Sequence, residues 1–280
     1  MFRFLFNTAL WVSALGLFLF GYAILIEPAQ LKIRHVEFVS KKYEGSDIRI
    51  GVMADIHIGG MHVPPKRVEN LVKEMNALNP DLVLLPGDFV GTHLSYAEET
   101  DEFNAAIEEG MTYLLDLKVP AFATLGNHDT LYDNDIMVKI LERLNLKLLE
   151  NAATTFRGLC LVGISDFKTA VPDRAAYDEC EDNMPPIAFT HSPDAWQTFR
   201  SDTILVLAGH THGGQVNLPI IGRRVNSISL GAEHSYGFSK IGGVDMFVSA
   251  GVGTSILPIR FRAPPEIVIL TLRSSRQAPA

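Results

Sequence analysis

The sequence predicts an α/β fold whose strands are buried on both faces. Two observations carry that expectation: short runs of Val, Ile and Leu recur without strict alternation, and amphipathic helical stretches lie between them. A third sets the ends apart, because an uncharged apolar segment precedes these runs and a glycine-punctuated segment follows them. With 47% hydrophobic and 20% charged residues, the 280-residue chain has enough apolar surface to offset the entropy of ordering. That excludes disorder for most of its length. A net charge of -8 argues against nucleic acid as a partner, since no bulk positive field would hold a phosphate backbone.

Residues 4–26 carry no charge, and only Asn7, Thr8 and Ser13 among them are clearly polar. As a helix these 23 residues span about 34 Å, enough to cross a hydrocarbon core of about 30 Å. Ala23-Ile24-Leu25-Ile26 makes a poor signal-peptide cleavage site, and a buried core helix, the alternative, fits a stretch apolar all round badly. The expectation is a single-pass membrane anchor over residues 1–28. Arg3 flanks it on one side and Lys32, Arg34, Lys41 and Lys42 on the other, which places the body of the protein on the cytoplasmic face.

Beyond the anchor, residues 33–38 alternate like a strand, and a polar turn over 41–47 follows. Apolar runs are then expected as strands at 48–54, 82–85, 121–125, 159–164, 187–189 and 204–207. Pro65 opens a helix that puts Val68, Leu71, Val72 and Met75 on one stripe, and further helical patterns cover 102–117 and 136–144. From about residue 220 glycine-punctuated strands suggest an added antiparallel portion, ending at 266–272. One domain over residues 29–273 is expected, with 274–280 a frayed tail. Cys160 and Cys180 allow a single bridge, which leaves the redox compartment open.

The polar clusters that end these runs carry the chemistry, because open α/β sheets place ligands beyond their strand ends. Asp55-Ile56-His57 presents a carboxylate and an imidazole at i and i+2, on one side of an extended chain. Asp88 follows Gly87, and His191 follows another run. Gly126-Asn127-His128-Asp129 offers Asn127 to an ion and His128 to a substrate, with Asp129 placed to hold the His128 ring in one tautomer. Gly209-His210-Thr211-His212 gives a second i, i+2 pair on a glycine-rich turn. Each cluster alone is weak. Together, Asp55, His57, Asp88, Asn127, His191, His210 and His212 suit two ions that share a carboxylate. Oxygen and imidazole donors without thiolate point to two divalent metal ions, Mn²⁺, Fe²⁺ or Zn²⁺. His35, His62, His93 and His234 lack such a setting and read as ordinary histidines.

The order D-x-H, G-D, G-N-H-D, H, G-H-T-H resembles that of the calcineurin-like metallophosphoesterases over roughly residues 45–272. Gly213-Gly214-Gln215, the 251–255 segment, Pro258-Ile259-Arg260-Phe261 and Pro265-Glu266-Ile267 resemble a bacterial, membrane-associated subgroup. The resemblance implies a four-layer α/β/β/α sandwich of two mixed sheets behind the N-terminal transmembrane helix. It implies that Asp55, His57 and His212 bind one metal, that Asn127, His191 and His210 bind the other, and that Asp88 bridges them. It also implies the cell (inner) membrane as location.

Two divalent ions about 3.5–4 Å apart can ionise a water and neutralise phosphoryl oxygens, and His128 would protonate the leaving group. The expected enzyme is a binuclear phosphodiesterase or pyrophosphohydrolase. Its substrate would be a phosphoester or a lipid-linked pyrophosphate such as UDP-2,3-diacylglucosamine, which the subgroup includes. A phosphomonoesterase or protein phosphatase uses the same ligands. A catalytically silent scaffold should have lost some, and none is missing. Leu218-Pro219-Ile220-Ile221 reads either as a core loop or as a lip for an acyl chain, and Arg260 and Arg262 either pair phosphate or form salt bridges.

Overall fold

A strand with both faces covered needs a core on each side of its sheet, and alternate residues divide between the two. The computed structural model describes residues 2–91, 100–144, 146–223 and 227–276; His93 and tail residues 277–280 lie outside these. The helices are α1 (Phe2–Gly21), α2 (Pro65–Ala77), α3 (Asp101–Thr112) and α4 (Asn127–Arg143). The strands are β1 (Lys32–Ser40), β2 (Ile48–Val52), β3 (Leu82–Pro86), β4 (Ala121–Thr124), β5 (Lys147–Leu148), β6 (Ala152–Phe156) and β7 (Leu159–Ile164). Then follow β8 (Pro186–Thr190), β9 (Leu205–Ala208), β10 (Asn217–Leu218), β11 (Gly222–Arg223), β12 (Gly237–Ile241), β13 (Val244–Val248) and β14 (Glu266–Ser274).

Two six-stranded sheets result, ordered β1-β14-β2-β3-β4-β5 and β12-β13-β9-β8-β7-β6. Both are mixed. In the first, only the β14–β2 pair is antiparallel; in the second, β12–β13 and β6–β7 are. Val268, Leu270 and Leu272 of β14 face the space between the sheets with Leu159 and Leu161 of β7, while Ile267 and Ile269 pack outward with α2 and α3. Cys160, Val162 and Ile164 face the opposite exterior, against Tyr177, Ala195 and Phe199. This is the expected sandwich. Its outer layer on the second sheet includes the 3₁₀ turns Arg174–Glu179 and Pro193–Thr198.

Two details differ from the sequence reading, and one that it left open is settled. Strand β14 continues through Ser274, paired with Ser40, where fraying was expected. Helix α4 starts at Asn127 rather than near residue 136, and Asp133 breaks its geometry. The break hid the first turns, since the apolar periodicity resumes only after it. Cys160 and Cys180 are joined as a disulfide, with Cα atoms 5.6 Å apart.

The apolar N-terminal segment is long enough to cross a membrane, by length and composition. Its last turn is seated in the domain: the Arg260 backbone N–H donates to the Ala23 carbonyl at 2.9 Å. Ala263 N–H donates to the buried Glu27 carboxylate at 2.6 Å, and Arg67 donates to the Pro28 carbonyl at 2.8 Å.

Candidate metal centre

The C-terminal ends of β2, β3, β4, β8 and β9 converge where the two sheets meet. Asp55, Asp88, Asn127, His191 and His210 follow those five strands within three residues. The loops after β3 and β4 touch backbone to backbone, so a side chain at Gly87 (φ 72°) would collide with Gly126. A Cβ on Gly126 would in turn strike Asp88 Oδ1.

The i, i+2 pairs do not arise as the sequence suggested. Asp55 and His57 have φ of 51° and 54°, and His210 and His212 have 70° and 52°. Asp88, at 55°, makes a fifth left-handed residue. These are not extended segments. Each pair turns its two side chains inward, while the residue between them, Ile56 or Thr211, is buried on its own account. The Thr211 hydroxyl donates to the Ser235 carbonyl. Non-glycine residues hold such angles only where surrounding contacts impose them.

Among the described residues, two groups of donors could hold a cation. Asp55, His57, Asp88 and His212 form one, and Asp88, His191 and His210 the other, with ligand atoms in each within 4.8 Å of one another. Asn127 joins the second through its Oδ1, 3.1 Å from His191 Nε2. Backbone carbonyls orient three of the rings. His57 Nδ1 lies 3.0 Å from the Val90 carbonyl, His191 Nδ1 2.9 Å from that of Pro86, and His210 Nε2 3.1 Å from that of Ser227. For His57 and His210, an N–H donated there leaves the other ring nitrogen as a lone pair aimed inward. Those inward nitrogens approach closely: His57 Nε2 is 3.1 Å from His212 Nε2, and His210 Nδ1 is 3.0 Å from His191 Nε2. Lone pairs at this separation repel unless a proton or a metal cation lies between them. The donor set therefore fits divalent ions.

Burial sets the protonation of the group. It drives His57 down to about 3 and His210 to about 4, and lowers His212 and His128 too. It raises Asp55 to about 7. Asp88 and His191 go the other way. Burial opposes their charges, but their mutual attraction outweighs it, holding Asp88 well below and His191 well above their ordinary values.

Asp129 has a different task from the one expected. Both its oxygens accept backbone N–H groups, of Asp88 and Gly126 at 2.8 Å and of Val90 at 2.9 Å. It braces the loops that carry Asp88 and Asn127, whereas His128 Nε2 meets the Ser255 hydroxyl at 3.1 Å. The His128 backbone N–H donates to Asp88 Oδ1 at 2.8 Å, so the start of α4 also fixes that carboxylate. Arg260 follows neither alternative that its sequence setting suggests. It is fully buried, and its guanidinium donates to the carbonyls of Gly253, Ala263 and Ala250 rather than to a carboxylate. Of the histidines read as ordinary, His35 is exposed on β1 and His62 contacts the Pro258 carbonyl.

Known proteins resemble this chain along most of its length. Phosphodiesterase YaeI of Escherichia coli is 27% identical over 265 residues, covering 90% of this chain and 92% of its own. A Danio rerio protein named "Transmembrane protein with metallophosphoesterase domain" is 26% identical over 271 residues, covering 87% of this chain and 58% of its own. A solved structure described as a novel archaeal phosphodiesterase aligns with a TM-score of 0.40 and 15% identity, over 73% of this chain and 84% of that one. The calcineurin-like phosphoesterase pattern matches residues 48–251, and the chain belongs to that family.

Proposed function

We propose that the chain is a membrane-anchored, metal-dependent phosphodiesterase that cleaves a phosphodiester or pyrophosphate bond. The observation that carries this reading is that Asp88 belongs to both donor groups, so one carboxylate serves two cation positions. Asp55, His57 and His212 would hold one ion, and Asn127, His191 and His210 the other, with Mn²⁺, Fe²⁺ and Zn²⁺ all suited to these donors. When bound, such ions supply charge neutralisation at phosphoryl oxygens and an acidified water.

The chain's own residues do the rest. The carbonyls of Val90, Pro86 and Ser227 fix the ligand rings, and Asp129 holds two loops in register. His128 is the proton donor at the leaving oxygen, with Ser255 orienting its Nε2. Before substrate binds, burial keeps the ring neutral, and the negative charge of a bound phosphoester favours the protonated form.

A diester preference is supported by the relative named as a phosphodiesterase. A lipid-linked substrate, of which a UDP-diacylglucosamine is one, is supported by the apolar helix seated beside the site. The side of the membrane has two opposing indications. Lys32, Arg34, Lys41 and Lys42 favour the cytoplasm, whereas the Cys160–Cys180 bridge persists in an oxidising compartment. We take the bridge as the stronger, because Arg3 and the amino terminus offset part of the flank charge.

The test uses the purified full chain in detergent, with bis-p-nitrophenyl phosphate and the monoester in Mn²⁺, Zn²⁺ or chelator. Turnover of the diester that chelator abolishes, with two ions bound per chain, is expected. Full activity with one ion or none overturns the reading.

A further inference from the structure

Six large apolar side chains stand exposed on three loops: Met61, Leu218, Ile220, Ile221, Ile256 and Leu257. Scattered exposed apolar residues are ordinary, but these loops are stitched together. His62 Nε2 meets the Pro258 carbonyl at 3.0 Å, and the Gln215 side chain accepts from Ser255 N–H at 2.6 Å and donates to the Leu257 carbonyl at 3.3 Å. Asn217 N–H donates to the Phe261 carbonyl at 2.8 Å, which ties the β10–β11 hairpin to the same segment.

This joined surface borders the metal centre. Ser255 contacts His128, and Arg223 of β11 donates to the Gly213 carbonyl beside His212 at 2.8 Å. It also borders the base of the apolar helix. Arg260 N–H bonds the Ala23 carbonyl, and Leu257 is only three residues away, within about 10 Å along the chain. Residues 3–20 of that helix are exposed, while Ala23 and Glu27 are buried in the domain. The polar boundary of a membrane would therefore fall at the level of these loops.

Two tip residues add an independent observation. Ile220 is fully exposed with φ 70°, and Ile256 is 75% exposed with φ 62°. A water-facing turn at positive φ is normally given to Gly or Asn, because a β-branched side chain is strained there and gains nothing in water. Arg262, also exposed and one residue before Ala263, offers a cation to lipid headgroups at the same level.

We infer that the mouth of the metal centre is seated on the lipid surface, with Ile220, Ile221, Ile256 and Leu257 inserted among the acyl chains. The inference rests on the anchor reading above and adds to it. The helix holds the domain at the bilayer, and the rim turns the site toward lipid so that a phosphodiester in the same leaflet reaches it without leaving the membrane.

The experiment uses the full chain in vesicles of phosphatidylethanolamine and phosphatidylglycerol. Both native cysteines are bridged, so Ile220→Cys, Ile256→Cys and the control Ser201→Cys each provide one free thiol for an environment-sensitive fluorophore. Ser201 precedes β9, at the end of the sheet opposite the site. Turnover of bis-p-nitrophenyl phosphate verifies that each variant is folded. Lipids brominated on the acyl chain should quench the probes at 220 and 256 several-fold more than the probe at 201. Equal, water-like signals at all three positions, from protein that resists alkaline carbonate, overturn the rim proposal and leave the anchor intact. Protein that carbonate releases overturns the anchor reading instead. A triple Ile220→Ser, Ile221→Ser, Ile256→Ser variant should hydrolyse the soluble diester as wild type does. It should lose roughly tenfold per isoleucine on a vesicle-embedded phosphodiester, and unchanged rates on both substrates count against the rim.

Discussion

The Arg260 guanidinium lies 3.4 Å from Nδ1 of His212, while the other nitrogen of that ring faces His57. Burial pushes the guanidinium down to about 10, still charged at neutral pH, and its N–H groups hold the carbonyls of a loop that wraps Asp55 and His57. Arg260→Met would leave several buried carbonyls without donors, at about 1–3 kcal/mol each. The expected result is a loss of about 3 kcal/mol or more in denaturant unfolding. Bound metal should also fall from two ions toward one, because only the His57–His212 half depends on this loop. Retention of both ions and of stability would remove Arg260 from the architecture of the site.

Asp88→Asn should be more damaging than Asn127→Ala. The first removes charge from both cation positions, the second one neutral donor from a single position. Losses of more than about 10³-fold and of about 10–100-fold are expected in diester turnover. Metal content measured beside the rates checks the cause, and near-wild-type turnover in Asp88→Asn contradicts the shared carboxylate.

His128→Ala should keep both metals and lose about 10²–10⁴-fold on alkoxide leaving groups. The loss should shrink for p-nitrophenolate, which departs without a proton. Comparable losses on both substrates would make His128 a stabiliser of phosphoryl charge, and loss of metal would make it a ligand.

The Cys160–Cys180 bridge closes a loop of about 20 residues and should contribute about 3 kcal/mol, through the unfolded chain. Cys160→Ala with Cys180→Ala is expected to lower stability by that amount and leave soluble-diester turnover unchanged. In intact cells, thiol alkylation before and after reduction should find the pair bridged. Free thiols there would return the domain to the cytoplasmic face.

The candidate donors stand out in the sequence because each cluster ends an apolar run, and a run of Val, Ile and Leu buried on both faces is hard to mistake. His57, Asp88 and His210 each say little alone, and become readable only as members of a set of strand-end clusters. Arg260 could not be read in this way, since its partners are backbone carbonyls and a histidine 48 positions earlier. The same holds for Asp129, whose two oxygens serve amides of Asp88 and Val90 some 40 residues away. A carboxylate next to a histidine in sequence invites a pairing, but both Asp129 oxygens are taken up by backbone amides. Strand β6, Ala152–Phe156, escaped notice because Ala-Ala-Thr-Thr lacks a strong apolar signature and lies at a sheet edge.

Five of the seven donors sit at positive φ, and none of the five is glycine. At about 1 kcal/mol each, the folded protein carries a strain comparable to a sizeable part of a domain's stability. Replacing one of these donors by glycine would relax the backbone as it removes the ligand. Selection for robustness and selection for turnover thus pull these positions in opposite directions. A drifting descendant that no longer needed hydrolysis would be expected to shed its donors first where the chain turns left-handed, and to grow more stable as it did so.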